Sequence, residues 1–190
     1  AWKLMLAIEG HADARLLDTY QQEREPHVRG IIEIAIAMGR VVCTLDEKEA
    51  AERDRGMLAQ RSARGAGTDD ALPPLTGLGA GCLMPSARAG ELFPQPMQAE
   101  HEDGRHGRLD DLLGGGFWLL SLDPVDEELV WSVPLTHVVL GKELRDPSGR
   151  LEQWLTATGA RSVLVRPDRY VFGTGRTREL ADALRAQLAA

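Results

Sequence analysis

The feature that most constrains this sequence is a glycine- and proline-rich stretch in its middle, residues 65–108. Glycine or proline occupies 13 of these 44 positions, which is too many for regular elements because glycine weakens and proline interrupts both helices and strands. Large apolar residues nevertheless recur through the stretch, so we expect an extended but ordered connection that packs on a neighbouring domain. The stretch divides the chain into three predicted parts, 1–64, 65–108 and 109–190.

The part before this stretch is predicted to be helical. A first helix stops at Gly10, because glycine is the residue most often found in left-handed caps. A long second helix has apolar or amphipathic residues at steps of three and four from Tyr20 to Val42, and Pro26 is expected to kink or restart it. The segment Thr44–Glu47 fits a capping box that begins a third helix, which ends near Arg64.

The part after the stretch alternates between strand and helix patterns. The run Phe117–Leu120 has no polar side, so we expect its strand to be central and covered on both faces. The predicted elements are, in order, a strand at 117–122, a helix at 126–132, a strand at 136–140, a helix at 151–157, strands at 162–166 and 170–172, and a helix at 176–188. A βαβ unit requires a right-handed crossover and a partly parallel sheet, which a hairpin and a final helix then complete. The predicted fold class is therefore α/β, with a thioredoxin-like βαβαββα order.

Charge and cysteine content narrow the class of protein. Twenty-nine acidic residues against 22 lysines and arginines give a net charge of -7, so no general positive field exists to hold nucleic acid or an anionic membrane. Cys43 and Cys82 are too far apart for a CxxC redox pair, and we expect both to stay reduced. No apolar run approaches the ~18 residues of a membrane helix. We predict a soluble, cytoplasmic protein, and its opening at Ala1 within a helical pattern favours a piece of a longer chain.

One cluster in the predicted connection has metal-ligand chemistry. Two imidazoles five residues apart, with carboxylates between them, are ligand types that divalent ions take. The residues are Glu100, His101, Glu102, Asp103 and His106. A solvated loop tip beside two glycines explains them more simply, because nothing in such a tip would orient the histidines. No serine or cysteine pairs convincingly with a base, so no nucleophile is assigned either.

Several strings along the chain form a recognisable set. They are Ala1–Leu4, Leu16–Pro26, Leu92–Pro96, Arg108–Gly114, Gly116–Phe117 and Val165–Val171. Together they resemble flavin-dependent aromatic monooxygenases of the branch that contains phenol hydroxylase and 3-(3-hydroxyphenyl)propionate hydroxylase. The strings Ala1–Leu4 and Leu16–Pro26 look like the segment that follows the last flavin-contacting loop of that family. One departure is Arg169, where relatives commonly carry glycine; a turn that needs positive φ there would be strained.

The resemblance implies a function for a longer protein. In that family the C-terminal domain has a thioredoxin-like fold without redox cysteines, and the intact enzyme uses FAD, NAD(P)H and O₂ to hydroxylate a phenolic ring. The family's GxGxxG fingerprint, which holds the FAD pyrophosphate, is absent from this sequence. Residues 1–64 are therefore interpreted as helices from the end of the FAD-binding domain, and 109–190 as the thioredoxin-like domain.

For this chain by itself we predict no catalytic, cofactor-binding or metal-binding residue. Its expected role is structural, in subunit contact within a homodimer and in covering the enzyme body. Its expected partners are the missing N-terminal FAD and substrate domains. An alternative from another class of protein is a free-standing, redox-inactive thioredoxin-like adaptor or binding module. A reading frame that continues upstream of Ala1 into a GxGxxG motif would favour the enzyme.

Overall fold

A computed structural model describes residues 1–64, 76–125 and 130–189 of the chain. The chain divides into two compact units. One unit contains Ala1–Glu25 and Gly77–Ala190, and the other contains Pro26–Thr76. This division differs from the three predicted parts, because the first helices group with the C-terminal residues rather than with the helices that follow them in sequence.

The elements of the described residues are named here in chain order. The helices are α1 (Trp2–Ile8), a short 3₁₀ helix (Ala14–Leu17), α2 (Asp18–Val42), α3 (Glu47–Arg64), α4 (Leu109–Leu113), α5 (Arg150–Ala157) and α6 (Thr177–Ala189). The strands are β1 (Ala99–His101), β2 (His106–Gly107), β3 (Phe117–Ser121), β4 (Leu135–Val139), β5 (Leu144–Arg145), β6 (Ser162–Val165) and β7 (Val171–Gly175). No described helix is long and apolar enough to cross a bilayer.

The central element is a four-stranded sheet of order β4–β3–β6–β7. Strand β3 pairs in parallel with β4 and antiparallel with β6, which pairs antiparallel with β7. All five residues of β3 are buried. The continuous apolar run at its start predicted a central strand covered on both faces, since such strands need no polar side. That prediction is confirmed.

The sheet separates two hydrophobic cores, because successive side chains of a strand point to opposite faces. The core on the α5 side contains Trp118, Leu120, Leu151, Leu155, Val163 and Val165, among others. The core on the α6 side contains Phe117, Leu119, Leu164, Phe172, Leu180 and Leu184, together with Leu6 and Leu16 from the N-terminal helices. The N-terminal helices therefore complete one face of the C-terminal sheet.

The glycine- and proline-rich connection contains a hairpin that the sequence analysis did not predict. Strand β1 pairs with β2 and also with β5, which makes a second, three-stranded sheet. Gly104 makes the tight turn, with a φ of 88° and an N–H that donates to the carbonyl of His101. Pairing with β5, 45 residues away at Glu100↔Arg145, supplies backbone bonds that local composition does not reveal.

Three local predictions need correction. A kink or a restart is expected at Pro26; helix α2 runs on through Pro26, so the restart does not occur. The predicted capping box is also wrong: the Thr44 hydroxyl donates to the Arg40 carbonyl, whereas Asp46 Oδ1 accepts from the backbone of Lys48 and Glu49 and caps α3. Of the helix predicted at 126–132, residues 126–129 lie outside the described residues and 130–132 are not helical.

Candidate functional site

The most unusual feature of the structure is a group of four charged side chains between the N-terminal helices and the sheet. Three of them are buried, and the fourth, Asp168, has a side chain that is 34% exposed. Glu23 comes from α2, Lys3 from α1, and Arg166 and Asp168 from the turn between β6 and β7. Relative exposure is 1% for Arg166, 2% for Glu23 and 5% for Lys3. Fully buried charges are rare unless they are paired, so this ionic cluster needs a specific explanation.

Arg166 is the centre of the ionic cluster. Its Nη1 and Nη2 donate to Glu23 Oε1 and Oε2, both at 2.8 Å, in a bidentate pair. Its Nε and Nη2 donate to the two carboxylate oxygens of Asp168 at 3.1 and 2.7 Å, and Nη1 also reaches the Cys82 carbonyl at 3.1 Å. The planar fork of arginine suits two carboxylates at once, which lysine could not reproduce.

Glu23 is satisfied from three sides. Besides Arg166, its Oε1 accepts from the backbone N–H of Cys82 at 2.8 Å and lies 2.7 Å from Lys3 Nζ. The close approach requires a glycine next to Cys82. Gly81 has a φ of 104°, and a Cβ at this position would lie 2.2 Å from Glu23 Cγ. Gly81 is therefore part of the cluster, although its position in a glycine-rich segment hides that role in the sequence.

The charges of the ionic cluster balance, with two cations and two carboxylates. Burial opposes ionisation of Asp168, but hydrogen bonds and attraction to Arg166 outweigh burial and hold the pKa of Asp168 below its usual value. Burial likewise opposes the charge on Arg166, yet its two carboxylate partners raise its pKa. For Lys3, burial outweighs the attraction of Glu23 and lowers the pKa. Burial raises the pKa of the Cys82 thiol to about 11, so this thiol is not a nucleophile.

A second arginine of the same turn, Arg169, holds the loop that leads into β3. Arg169 has a φ of 69°, the positive value that the sequence analysis identified as strained. Its guanidinium donates to the carbonyls of Gly114 at 2.8 Å and Gly116 at 3.1 Å, and contacts Asp110 Oδ1 at 2.5 Å. It also lies 3.6 Å from the centroid of the Trp118 ring. These contacts offset a backbone strain of roughly 1–3 kcal/mol.

The predicted metal-type cluster lies around an open cavity of about 320 Å³ next to Lys142 and Arg145. Its side chains pair with each other: His101 Nδ1 lies 3.1 Å from Asp103 Oδ1, and His106 Nδ1 lies 3.9 Å from a Glu100 oxygen. In the part of the chain that the structure describes, no three metal-binding side chains converge. The residues of the predicted cluster belong to the β1–β2 hairpin.

The structure also makes a serine–histidine contact that the sequence analysis did not anticipate. Ser121 Oγ lies 2.9 Å from His137 Nε2. The two residues are on the adjacent parallel strands β3 and β4, where His137 pairs with Leu119, two residues before Ser121. The serine is only 1% exposed, and its hydroxyl donates to the Asp123 carbonyl at 2.6 Å. Burial lowers the pKa of His137. A buried hydroxyl already engaged in hydrogen bonds has no access to a substrate, so the contact stabilises the strand ends.

Two segments of the chain match known families, and curated relatives match almost its whole length. Residues 1–35 match the family described as FAD binding domain, and residues 132–190 match the HcaD C-terminal domain. A Rhodococcus jostii protein named "Probable NADH-specific resorcinol 4-hydroxylase" is 35% identical over 100% of this chain and 37% of its own length. A 3-(3-hydroxy-phenyl)propionate/3-hydroxycinnamic acid hydroxylase of Mycobacterium sp. is 29% identical over 90% of this chain and 35% of its own length.

Solved structures agree with these sequence matches. The flavin-dependent monooxygenase PieE, crystallised with FAD and substrate, has a TM-score of 0.65 at 23% identity, over 98% of this chain and 42% of that chain. RebC with bound 7-carboxy-K252c has a TM-score of 0.60 at 26% identity, over 98% of this chain and 39% of that chain. The chain thus spans little more than a third of the length of its curated relatives.

The resemblance found in the sequence is confirmed: the chain is related to the C-terminal portion of flavin-dependent aromatic monooxygenases. FAD is the cofactor associated with this family. Among the described residues, the glycine run 114–116 does not fit an FAD-phosphate site, because it leads into strand β3 instead of a helix N-terminus. The ionic cluster joins one string from each family match, Leu16–Pro26 and Val165–Val171.

Proposed function

We propose that this chain is the C-terminal structural and oligomerisation part of a longer FAD- and NAD(P)H-dependent monooxygenase. The longer protein hydroxylates a phenolic ring, in a compound similar to resorcinol or 3-(3-hydroxyphenyl)propionate. This part itself carries no catalytic residue. Its partners are the FAD and substrate domains that precede it in the same polypeptide, and the enzyme acts in the cytoplasm.

One observation carries the proposal. Glu23 lies within the match to the FAD binding domain, Arg166 lies within the match to the HcaD C-terminal domain, and the two side chains form a buried bidentate pair. A free-standing adaptor would have no need for a fragment of an FAD-binding domain fixed to its sheet. The pair supports a chain that contains the joint between two domains of one enzyme.

The finer fold assignment is also a proposal. The βαβ–αββα order is thioredoxin-like when the second strand lies beside the first, in parallel, and the third and fourth strands follow on the other side. The order β4–β3–β6–β7, with only the β3–β4 pair parallel, supports this assignment. We propose that the corresponding region of the longer enzyme has the domain boundaries 1–64, 65–108 and 109–190. The first segment belongs to the end of the FAD-binding domain.

A chimera tests the proposed function. In the chimera, the matching C-terminal portion of the Rhodococcus jostii relative is replaced by residues 1–190 of this chain. The chimera is purified in parallel with the intact relative. If the proposal is correct, the chimera retains FAD, with an oxidised-flavin absorption spectrum near one flavin per chain, and oxidises NADH in the presence of resorcinol. The 190-residue chain alone should be colourless.

The chimera also has an informative control. Arg55→Met changes an exposed arginine of α3 and should leave flavin content unaltered. If the intact relative holds FAD and the chimera folds but does not, the proposed function is wrong. Homodimerisation is tested separately by sedimentation, where a monomer at high concentration would contradict the oligomerisation role.

A further inference from the structure

The first turn of α1 is held by directional contacts from the β6–β7 turn. Trp2 Nε1 donates to Asp168 Oδ2 at 3.0 Å, and the Arg166 guanidinium lies 5.0 Å from the Trp2 ring centroid. The Trp2 ring also packs edge-on against Phe117, with centroids 5.5 Å apart. Together with Lys3, bound to Glu23, these contacts fix two consecutive residues at the start of the helix.

The rest of α1 is held much less firmly. Leu6 is its one other buried residue, whereas Leu4, Met5 and Ile8 are 50–76% exposed. Hydrophobic contact alone is non-directional, so Leu6 would allow the helix to rotate and slide. The hydrogen bond to Asp168 and the ion pair with Glu23 restrict both movements, because each has a narrow range of distances and angles.

We propose that Arg166 and Asp168 are positioning residues: acting through Trp2, Lys3 and Glu23, they set the direction in which the polypeptide enters α1. Any segment joined ahead of Trp2 is thereby oriented relative to the C-terminal sheet. The orientation of such a segment rests on the proposed function, because only a longer chain contains a segment ahead of Trp2. The proposal gives this C-terminal part a task beyond covering surface.

Spin-label distances in the 190-residue chain test the proposal. Ala1→Cys and Ala186→Cys carry the labels, in a Cys43→Ser background where Cys82 is buried and unlabelled. The labelled protein with Trp2, Arg166 and Asp168 unchanged should give a narrow distance distribution. The distance distribution should become at least twice as wide in each of three variants. Arg166→Lys removes the guanidinium fork, Asp168→Asn removes the carboxylate charge, and Trp2→Phe removes the N–H donor. Arg161→Lys, at an exposed pair with Asp123, is the control and should leave the width unchanged.

Two further measurements separate positioning from general destabilisation. Thermal unfolding and amide exchange of β3 and β6 are recorded for every variant. A wider distribution with sheet protection retained supports positioning. An unchanged width, or widening only where sheet protection is lost, overturns it. Trp2→Phe keeps an aromatic ring but removes the indole N–H donor, so it decides the matter if Arg166→Lys does not fold. The chimera experiment is separate, so failure of the proposed function is recognised independently.

Discussion

The two units of this chain place their large apolar residues in opposite ways. In the unit of residues 1–25 and 77–190, two cores cover both faces of a sheet. In the unit of residues 26–76, the described residues include no buried apolar side chain, yet they contribute ten of the 18 large apolar residues that are exposed. Both units are regular in backbone, so secondary structure alone does not tell which part of a chain has its own core.

The difference has an energetic meaning. Burial of apolar surface stabilises a fold by about 25 cal/mol per Å², and isolated helices gain most of their stability from such packing rather than from intrinsic propensity. The first unit obtains this stabilisation from its own residues. The second unit consists of helices whose apolar stripe requires another surface. Paired substitutions, one in each unit, measure this difference.

The largest effect is expected at the ionic cluster. Arg166→Met leaves Glu23 buried without its bidentate partner, and removal of one member of a buried ion pair costs about 3–5 kcal/mol. Arg55→Met, at an exposed pair in the second unit, should cost less than about 1 kcal/mol. Urea unfolding followed by circular dichroism measures both. Equal losses for the two variants would contradict the contrast between the units.

The next effect concerns apolar side chains. Leu119 is fully buried in the α6-side core, so Leu119→Ala should lower the free energy of unfolding by about 2–5 kcal/mol. Ile36 is 49% exposed in α2, and Ile36→Ala should change it by no more than about 0.5 kcal/mol. Thermal and urea unfolding provide the two values. A loss above 2 kcal/mol at Ile36 would show that the second unit has a core in solution.

Thiol reactivity gives a smaller difference. Cys82 lies in the first unit with no exposed surface, and burial raises its pKa to about 11, whereas Cys43 in the second unit is exposed. Labelling by a maleimide at pH 7 should be at least ~100-fold slower at Cys82, because the reaction requires local opening and a thiolate. In denaturant both should react as free thiols. Comparable labelling rates for the two cysteines in the folded protein would show that the structure around Cys82 opens readily.

The smallest expected effect is a pH dependence. The folded-state pKa of Asp168 lies below its ordinary value of 3.8, so its ionisation stabilises the fold above that value, and the contribution is lost as pH falls through the folded pKa. Stability of Asp168→Asn should therefore fall less steeply below pH 4 than that of the wild type. Asp54→Asn makes the same charge change at an exposed position of the second unit. Parallel curves for all three proteins would contradict the prediction.

Local sequence patterns predicted the structure correctly where the final environment matched them. The apolar run at Phe117 predicted a buried central strand because no polar side chain interrupts it, and the helix at Leu151 followed from a period of three to four residues. Such patterns failed at Thr44, where two polar residues compete to cap one helix and Asp46 prevails. They also missed the β1 hairpin, whose pairing partner is distant in the sequence.

The candidate site shows the same limit. Glu23 and Arg166 each stood within a recognised string, but 143 residues separate them and no periodicity links the two. Glu23 itself resembles any other acidic residue on a helix until its neighbours are known. Gly81 is one of many glycines in its segment. Only the close approach of Glu23 shows that a residue with a Cβ would not fit at this position.

The sequence by itself determined the four strands of the main sheet, most of the helices and the family resemblance, because these follow from residue periodicity and from strings that are contiguous in the chain. The tertiary structure alone decided which of these elements share a core. Hydrophobic burial and ion pairing act between atoms that are close in space, whatever their separation along the chain. Residues 1–25 therefore belong with the sheet that lies more than 90 positions away from them, and not with the remainder of α2, residues 26–42.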